Sequence, residues 1–282
     1  MAKVLITGAA GNVGMEVIRA YPTPADLRAA VRDIQKERPH IGREIEYVPF
    51  DFTDPATYPR AFEGVRSMFL MRPPQISNVA RDIEPALDAA KAAGVEHIVF
   101  LSLVGVEKRT YVPHYKIEQA ILARGFDWTF LRASFFMQNL NTTHRAEIAD
   151  HNEIALPVGS AKTSFIDVRD IGAVAAKALS EPGHRNRAYT LTGGESLDYN
   201  QVASIMSNVL NRPIRYTDPS FISFFANQIK AGRTAAYAFV VTALYTMTRM
   251  GGADTISDDV PRLLQRPPIR FQQYVEDYRA AW

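Results

Sequence analysis

Apolar and polar positions follow one another along this chain in two rhythms. Short runs such as Lys3-Val4-Leu5-Ile6-Thr7, Leu27-Arg28-Ala29-Ala30-Val31, Ile45-Glu46-Tyr47-Val48 and Ser67-Met68-Phe69-Leu70-Met71 have the length and composition of buried strands. Longer segments between them carry helical spacing. The pattern continues with a helix over Val79 to Ala93 closed by Gly94, then the strand His97-Ile98-Val99-Phe100-Leu101. A helix from His114 to Ala123, closed by Gly125, precedes a sixth strand, Asp127-Trp128-Thr129-Phe130-Leu131. Such alternation predicts an α/β fold built on a doubly wound parallel sheet. Ser164 to Val168 then leads into a helix through about Leu179, and Ala188-Tyr189-Thr190-Leu191 is a further strand. Beyond Gly193-Gly194 helices dominate, at Tyr199 to Leu210, Ser220 to Ala231, Ala235 to Met250 and Phe271 to Ala281. The expected organisation is a nucleotide-binding domain over 1–190 and a smaller, mostly helical lobe over 191–282 that closes over a second substrate. Arg266-Pro267-Pro268 reads as a stiff connector.

The first strand runs straight into Gly8-Ala9-Ala10-Gly11-Asn12-Val13-Gly14, and a helix follows through about Tyr21. Gly8 allows the tight turn, Gly11 lets backbone approach a pyrophosphate, and Gly14 lets helix and strand pack closely. The helix N-terminus offers free N–H groups and partial positive charge to the phosphates. With a strand before it and a helix after it, the glycine pattern has the context that dinucleotide binding requires. The sheet is therefore expected to be of Rossmann type, with Thr7, Gly8, Ala10, Gly11, Asn12, Val13 and Gly14 around the cofactor.

Composition narrows the alternatives. At 282 residues the chain is long enough for one α/β core with an appended lobe. Lys and Arg number 32 against 30 for Asp and Glu, a balance that argues against nucleic acid or an acidic membrane as the main partner. There is no cysteine, which excludes thiol nucleophiles, disulfides and thiolate metal sites; no metal site is expected. No charged and then apolar leader precedes Lys3, so a cytoplasmic home is expected. The most apolar window, Ala235 to Tyr245, is too short to span a bilayer and is flanked by Arg233 and Arg249; it is expected to be a buried helix.

Candidate chemistry clusters at strand ends. Arg32 at the tip of the second strand suits the 2′-phosphate of NADP, although Asp33 follows it; a solvated arginine and an N-capping aspartate are the plainer alternatives. Asp51 and Phe52 either meet the adenine or cap the loop ahead of Thr53-Asp54-Pro55. Leu70, Met71 and Arg72 lie where the bridging region of a dinucleotide would cross, and Arg72 either touches phosphate or is solvated. Ser102 ends the fifth strand. Downstream, Tyr111, His114, Tyr115 and Lys116 gather at a helix start, without the Tyr-x-x-x-Lys spacing that would let a lysine lower a tyrosine's pKa. His114 and Glu118 fall one turn apart and could hydrogen-bond, whereas Lys116 points about 200° away from His114. Phe135, Phe136 and Met137, after the sixth strand, are either core or a platform beside the nicotinamide. Tyr237 and Tyr245 are expected to shape the acceptor pocket.

Taken together, these segments resemble the NmrA-like family of atypical short-chain dehydrogenases/reductases, near its quinone and dye reductases. The resemblance runs through Thr7 to Gly14, Val31-Arg32-Asp33, Ser102 to Glu107, Pro113 to Glu118, Thr129 to Arg132, Phe135 to Leu140, Asp167 to Ile171 and Asp258-Asp259-Val260. It implies NADP(H) on the glycine turn with Arg32 at the 2′-phosphate. Isoflavone-reductase-like relatives place a catalytic lysine where this chain has His114. The family holds reductases and also NADP-binding regulators. The expected function is NADPH-dependent hydride transfer to a flat, conjugated, electron-poor acceptor of quinone, azo or triphenylmethane type. Such an acceptor delocalises the added electrons itself, which fits the absent Tyr–Lys pair. His114 or Tyr115 is then an optional proton donor. The alternatives are an NADP-sensing binding protein without turnover and a sugar-nucleotide epimerase. A small aromatic or quinone-like substrate, no nucleic acid, no membrane, and a monomer or homodimer complete the expectations.

Overall fold

Seven of the apolar runs become strands of one sheet in the computed structural model, which describes residues 3–42 and 44–282. In chain order the strands are β1 (Lys3–Ile6), β2 (Leu27–Val31), β3 (Glu46–Pro49), β4 (Val65–Leu70), β5 (His97–Leu103), β6 (Asp127–Ala133), β7 (Glu153–Ala155), β8 (Arg187–Leu191) and β9 (Arg215–Thr217). The large sheet has the order β3-β2-β1-β4-β5-β6-β8, with every neighbouring pair parallel. This is the doubly wound α/β fold that the alternation predicts. Winding reverses at β1, which pairs with β2 on one side and β4 on the other, and a crevice opens beyond the carboxyl ends of such strands.

Strand residues point alternately to the two faces. Leu5, Met68, Leu70, Ile98, Phe100 and Phe130 pack with Phe62, Leu87, Ile117 and Ile121 in one continuous core. The intervening positions Ile6, Phe69 and Val99 are as fully buried. Two helices, Asn12–Ala20 and Val168–Ser180, pack against each other so closely that a Cβ on Gly172 would lie 2.5 Å from Cβ of Glu16. The helix expected over Val79 to Ala93 is two pieces, Val79–Asp82 and Glu84–Ala92. Pro85 supplies no N–H to the ladder, and the chain re-enters the helix with that proline in its first turn.

The chain divides into two compact units. One comprises 1–133, 168–191 and 262–265; the other comprises 134–167, 192–261 and 266–282. Residues 134–167, assigned to the first domain by the division at 190, therefore belong with the second unit. After β6 the chain leaves the sheet, builds a helix (Arg145–His151) and β7, and returns through the helix Val168–Ser180 to form β8. Local strand and helix signals look the same inside and outside the sheet, so no composition shift marks the excursion. In the second unit β7 pairs with β9 in parallel, three residues each, too short for a periodicity signal. Its core joins Phe165, Tyr199, Met206, Phe271 and Tyr274. The helix Tyr199–Leu210 starts where the sequence places it, held by a capping box between Asp198 and Gln201.

The window around Ala235 departs from expectation. It is the helix Ala235–Arg249, but Phe239, Val240 and Leu244 are exposed rather than buried. Among the described residues no helix is long and apolar enough to cross a membrane.

A buried histidine gives the fold a pH signature. His97, at the start of β5, donates from Nε2 to Thr129 Oγ1 at 2.9 Å, while that hydroxyl donates to the His184 carbonyl at 2.7 Å. Burial, with the nearby Arg185 charge, pushes the imidazole pKa down to about 4. The unfolded chain protonates first as pH falls, so this contribution is fully present above about 6.5 and is lost through 4. Denaturant unfolding is expected to lose up to roughly 3 kcal/mol from this residue across that window. NMR titration of His97 near its ordinary value would contradict the assignment.

Candidate functional site

The glycine turn sits at the switch point. Gly8 takes φ +61°, a left-handed conformation that favours glycine, and its carbonyl accepts from Gly11 N at 2.9 Å. Gly14 lies against that carbonyl: a Cβ there would stand 2.2 Å from Gly8 O. On Gly11 a Cβ would stand 3.2 Å from both Gly8 O and Met71 Cε. The helix Asn12–Ala20 begins at Gly11 with no side-chain cap and no acidic residue in its first turn. That leaves its N-terminal N–H groups and positive end available to an anion.

A cavity of about 540 Å³ opens here, lined by Gly8, Ala10, Gly11, Arg32, Asp51 and Met71 among others. Arg32 is exposed, with no ion pair or hydrogen bond among the described residues. Asp33 takes the capping role, accepting from Lys36 N at 3.2 Å, which leaves the arginine as the cationic side chain at the tip of β2. Asp51 uses Oδ1 to hold Thr53 through its N–H and its hydroxyl, at 2.8 and 2.7 Å. The loop-capping alternative therefore holds for that oxygen, while the residue still lines the cavity. Phe52 lines the cavity but is buried, edge-on to Phe50 at 4.8 Å, so its ring is part of the core rather than a free platform.

Several expected cofactor contacts have structural work instead. Thr7 is fully buried; its hydroxyl donates to Phe69 O at 3.0 Å and accepts from Met71 N at 2.8 Å, tying the ends of β1 and β4 together. Val13 and Leu70 point into the core. Arg72 turns back on its own loop, donating to the carbonyls of Pro73, Pro74 and Ile76. It thereby folds the segment 73–76, which forms a wall of the cavity. No local sequence signal announces that wall, because it depends on one guanidinium reaching three carbonyls.

At the ends of β5 and β6 the expected His114–Glu118 bond is replaced by another. Glu118, almost fully buried, accepts from Ser102 Oγ at 2.7 Å and from Arg132 Nε and Nη2 at 3.2 and 2.8 Å. A second carboxylate, Glu107, meets Arg132 Nη1 at 3.3 Å. Hydrogen bonding to Glu118 raises the pKa of Arg132, and the pair locks the helix Pro113–Ala123 to the strand ends. Ser102 is thus committed to Glu118. His114 instead stacks on Phe100 at 6.0 Å, and burial together with the Arg72 charge pushes its pKa down to about 3. Its surroundings thus favour the neutral imidazole over the imidazolium. Tyr115 lines a separate groove with Lys116, Gln119, Ser77 and Thr110, and not the cavity at the glycine turn. His114 is not among the residues that line that groove with Tyr115.

In the second unit Phe135 stacks on Tyr245 at 6.1 Å, and the backbone of Phe136 bridges to Ile166. Met137 and Tyr245 are core residues, not walls open to an acceptor. The Tyr245 hydroxyl meets His144 Nε2 at 2.6 Å, and His144 Nδ1 meets Glu147 at 3.1 Å. Tyr237 is half-buried under the Arg233 guanidinium, 5.5 Å from its ring centroid.

The tightest element of the site is the Gly8–Gly14 contact. Gly14→Ala is expected to weaken NADPH binding at least ~100-fold in a fluorescence titration, because a 2.2 Å approach forces the helix off the strand. Gly11→Ala should cost less, since its neighbours need yield only a few tenths of an ångström. Equal, small effects of the two would contradict the geometry.

Comparison with known proteins agrees with this construction. The model of the NmrA-like family matches residues 1–264. An NAD(P)H azoreductase of Xenophilus azovorans is 31% identical over 284 residues, covering 99% of each chain. Quinone oxidoreductase 2 of Escherichia coli is 25% identical over 278 residues, covering 96% of this chain and 97% of that one. Among solved structures, the triphenylmethane reductase of Citrobacter sp. complexed with NADP(H) superposes with a TM-score of 0.87 at 24% identity. That superposition covers 98% of this chain and 99% of the other, a likeness of fold. With the glycine turn, the sheet order and the matched length in agreement, the chain belongs to the NmrA-like family.

Proposed function

We propose that this protein is an NADPH-dependent reductase of flat, conjugated, electron-poor acceptors of the quinone, azo-dye or triphenylmethane-dye type. The observation that carries it is full-length similarity to a named NAD(P)H azoreductase, joined to a cavity suited to a phosphorylated dinucleotide. The uncapped helix after Gly11 fits the pyrophosphate and the unpaired Arg32 fits a 2′-phosphate. When bound, NADPH supplies the hydride. Gly8, Gly11 and Gly14 hold the backbone close, Met71 and the segment 73–76 wall the cavity, and Thr7 fixes the strand ends beneath it. With His114 held toward its neutral form and Tyr115 lining a separate groove, neither of these two candidates lines the cavity as a strong side-chain acid. An acceptor that carries the added charge on its own conjugated frame needs little from such an acid, so proximity and orientation supply most of the rate. The relatives' names as enzymes weigh against a sensor without turnover. A cytoplasmic location accompanies this proposal.

Oxidation of NADPH, followed by its near-ultraviolet absorbance, should proceed with at least one member of a panel of quinones, azo dyes and triphenylmethane dyes. Tight NADPH binding without turnover on any of them would contradict the proposal. Arg32→Ala should reduce the preference for NADPH over NADH by about 10- to 100-fold, the worth of one charge-assisted phosphate contact. An unchanged ratio would remove Arg32 from cofactor recognition.

A further inference from the structure

The helix Ala235–Arg249 is apolar on more sides than its own unit covers. At about 100° per residue, Phe239, Val240 and Leu244 span about 140° of its circumference, with buried Ala238 and Tyr245 opposite. Its neighbour, the helix Phe221–Lys230, repeats the arrangement: Phe224 and Gln228 are buried, while Ile222 and Ile229 face outward two turns apart. The two helices pack on each other through Phe224 and Tyr245, ring centroids 5.6 Å apart, and are joined by the short link 231–234. Ile222 is 84% exposed, Phe239 68% and Val240 64%. Seven of the ten large hydrophobic residues exposed among the described residues fall between 219 and 253: Phe221, Ile222, Ile229, Phe239, Val240, Leu244 and Met250. A helix apolar all round belongs inside a protein or against lipid. Here one face is inside and the other is not.

Charge selects what covers the outer face. The same 35 positions hold Lys230, Arg233 and Arg249 and no aspartate or glutamate. Arg249 is neutralised by both carboxylate oxygens of Asp218, at 2.8 and 2.9 Å. Lys230 and Arg233, at the link between the helices, have no anionic partner among the described residues. A symmetric contact with a second copy would bring these cations together with no anion in the segment to offset them. An anionic lipid surface satisfies both features, taking the apolar face into the headgroup boundary and the cations onto phosphate.

We propose that the helical hairpin over 219–253 is a peripheral docking surface for an anionic membrane, with Ile222, Ile229, Phe239 and Val240 inserted and Lys230 and Arg233 at the headgroups. It lies on the bilayer and does not cross it. The near-neutral balance of the whole chain conceals this, because 32 cations and 30 anions average away a segment with none of the latter. The proposal stands independently of which acceptor is reduced.

Co-sedimentation of the full chain with vesicles tests it, comparing pure phosphatidylcholine with phosphatidylcholine containing about a third phosphatidylglycerol. Binding is expected on the anionic vesicles at low salt, falling steeply as salt rises. The double variant Lys230→Ala, Arg233→Ala should weaken it about 30-fold. Ile222→Ser with Phe239→Ser should weaken it at least ~10-fold while the thermal unfolding midpoint stays unchanged, since both side chains are exposed. Absence of binding to either vesicle, or equal binding to both that ignores the cations, would overturn the proposal. So would a dimer in light scattering that Phe239→Ser converts to monomer, because a second copy would then own the face.

Discussion

One contact organises the nucleotide-binding unit: the hydrogen of Gly14 resting on the carbonyl of Gly8, where any larger side chain would overlap. It sets the first helix directly against the end of β1, and that closeness leaves the helix N-terminus facing open space beside the switch point of the sheet. Thr7 reinforces the arrangement by joining the ends of β1 and β4, which ties the turn to the neighbouring wall. Gly172 does the equivalent service behind it, admitting the helix Val168–Ser180 against the first helix. Cofactor geometry thus follows from hydrogen-sized gaps more than from charged side chains.

The arginines of this unit differ in whether they lie open at the cavity or are spent on the frame. Arg32, proposed above for the 2′-phosphate, is exposed at the cavity and has no ion pair or hydrogen bond among the described residues. Arg72 and Arg132 are engaged already, one with loop carbonyls and one with buried Glu118. Removing Glu118 would leave the half-buried Arg132 guanidinium with Glu107 alone and free the Ser102 hydroxyl, loosening the joint between helix and strand ends. His114 occupies a catalytic-looking position yet is kept neutral by its surroundings. Orientation on a rigid frame is therefore the main resource this unit offers to chemistry, and an acceptor able to carry charge on its own conjugated system suits that resource.

Legibility in the sequence tracked the range of the interaction responsible. The glycine turn, the strand runs and the capped helix at Tyr199 are local features, and the structure places them within a residue or two of expectation. Asp33 and Asp51 could be read only as pairs of alternatives, because both outcomes need the same residue at the same place. What escaped was set by distant partners: Glu118 turned to Ser102 and Arg132 instead of His114, and Arg72 turned onto its own loop. The discontinuous second unit and the outward face of the helix Ala235–Arg249 escaped for the same reason. Burial of one side of an apolar helix is decided by neighbours that its own sequence does not name.

Two cavities in the nucleotide-binding unit compete for the cofactor on size alone, about 540 Å³ at the glycine turn and about 700 Å³ in the groove lined by Tyr115 and Lys116. Chemistry favours the first. Hydrogen exchange of the full chain with and without NADPH separates them directly. Slowed exchange confined to residues about the glycine turn, the tip of β2 and the segment 71–76 is the predicted result. Protection centred instead on the groove between 77–84 and 110–124, with the glycine turn unchanged, would contradict the central role given to the Gly8–Gly14 contact.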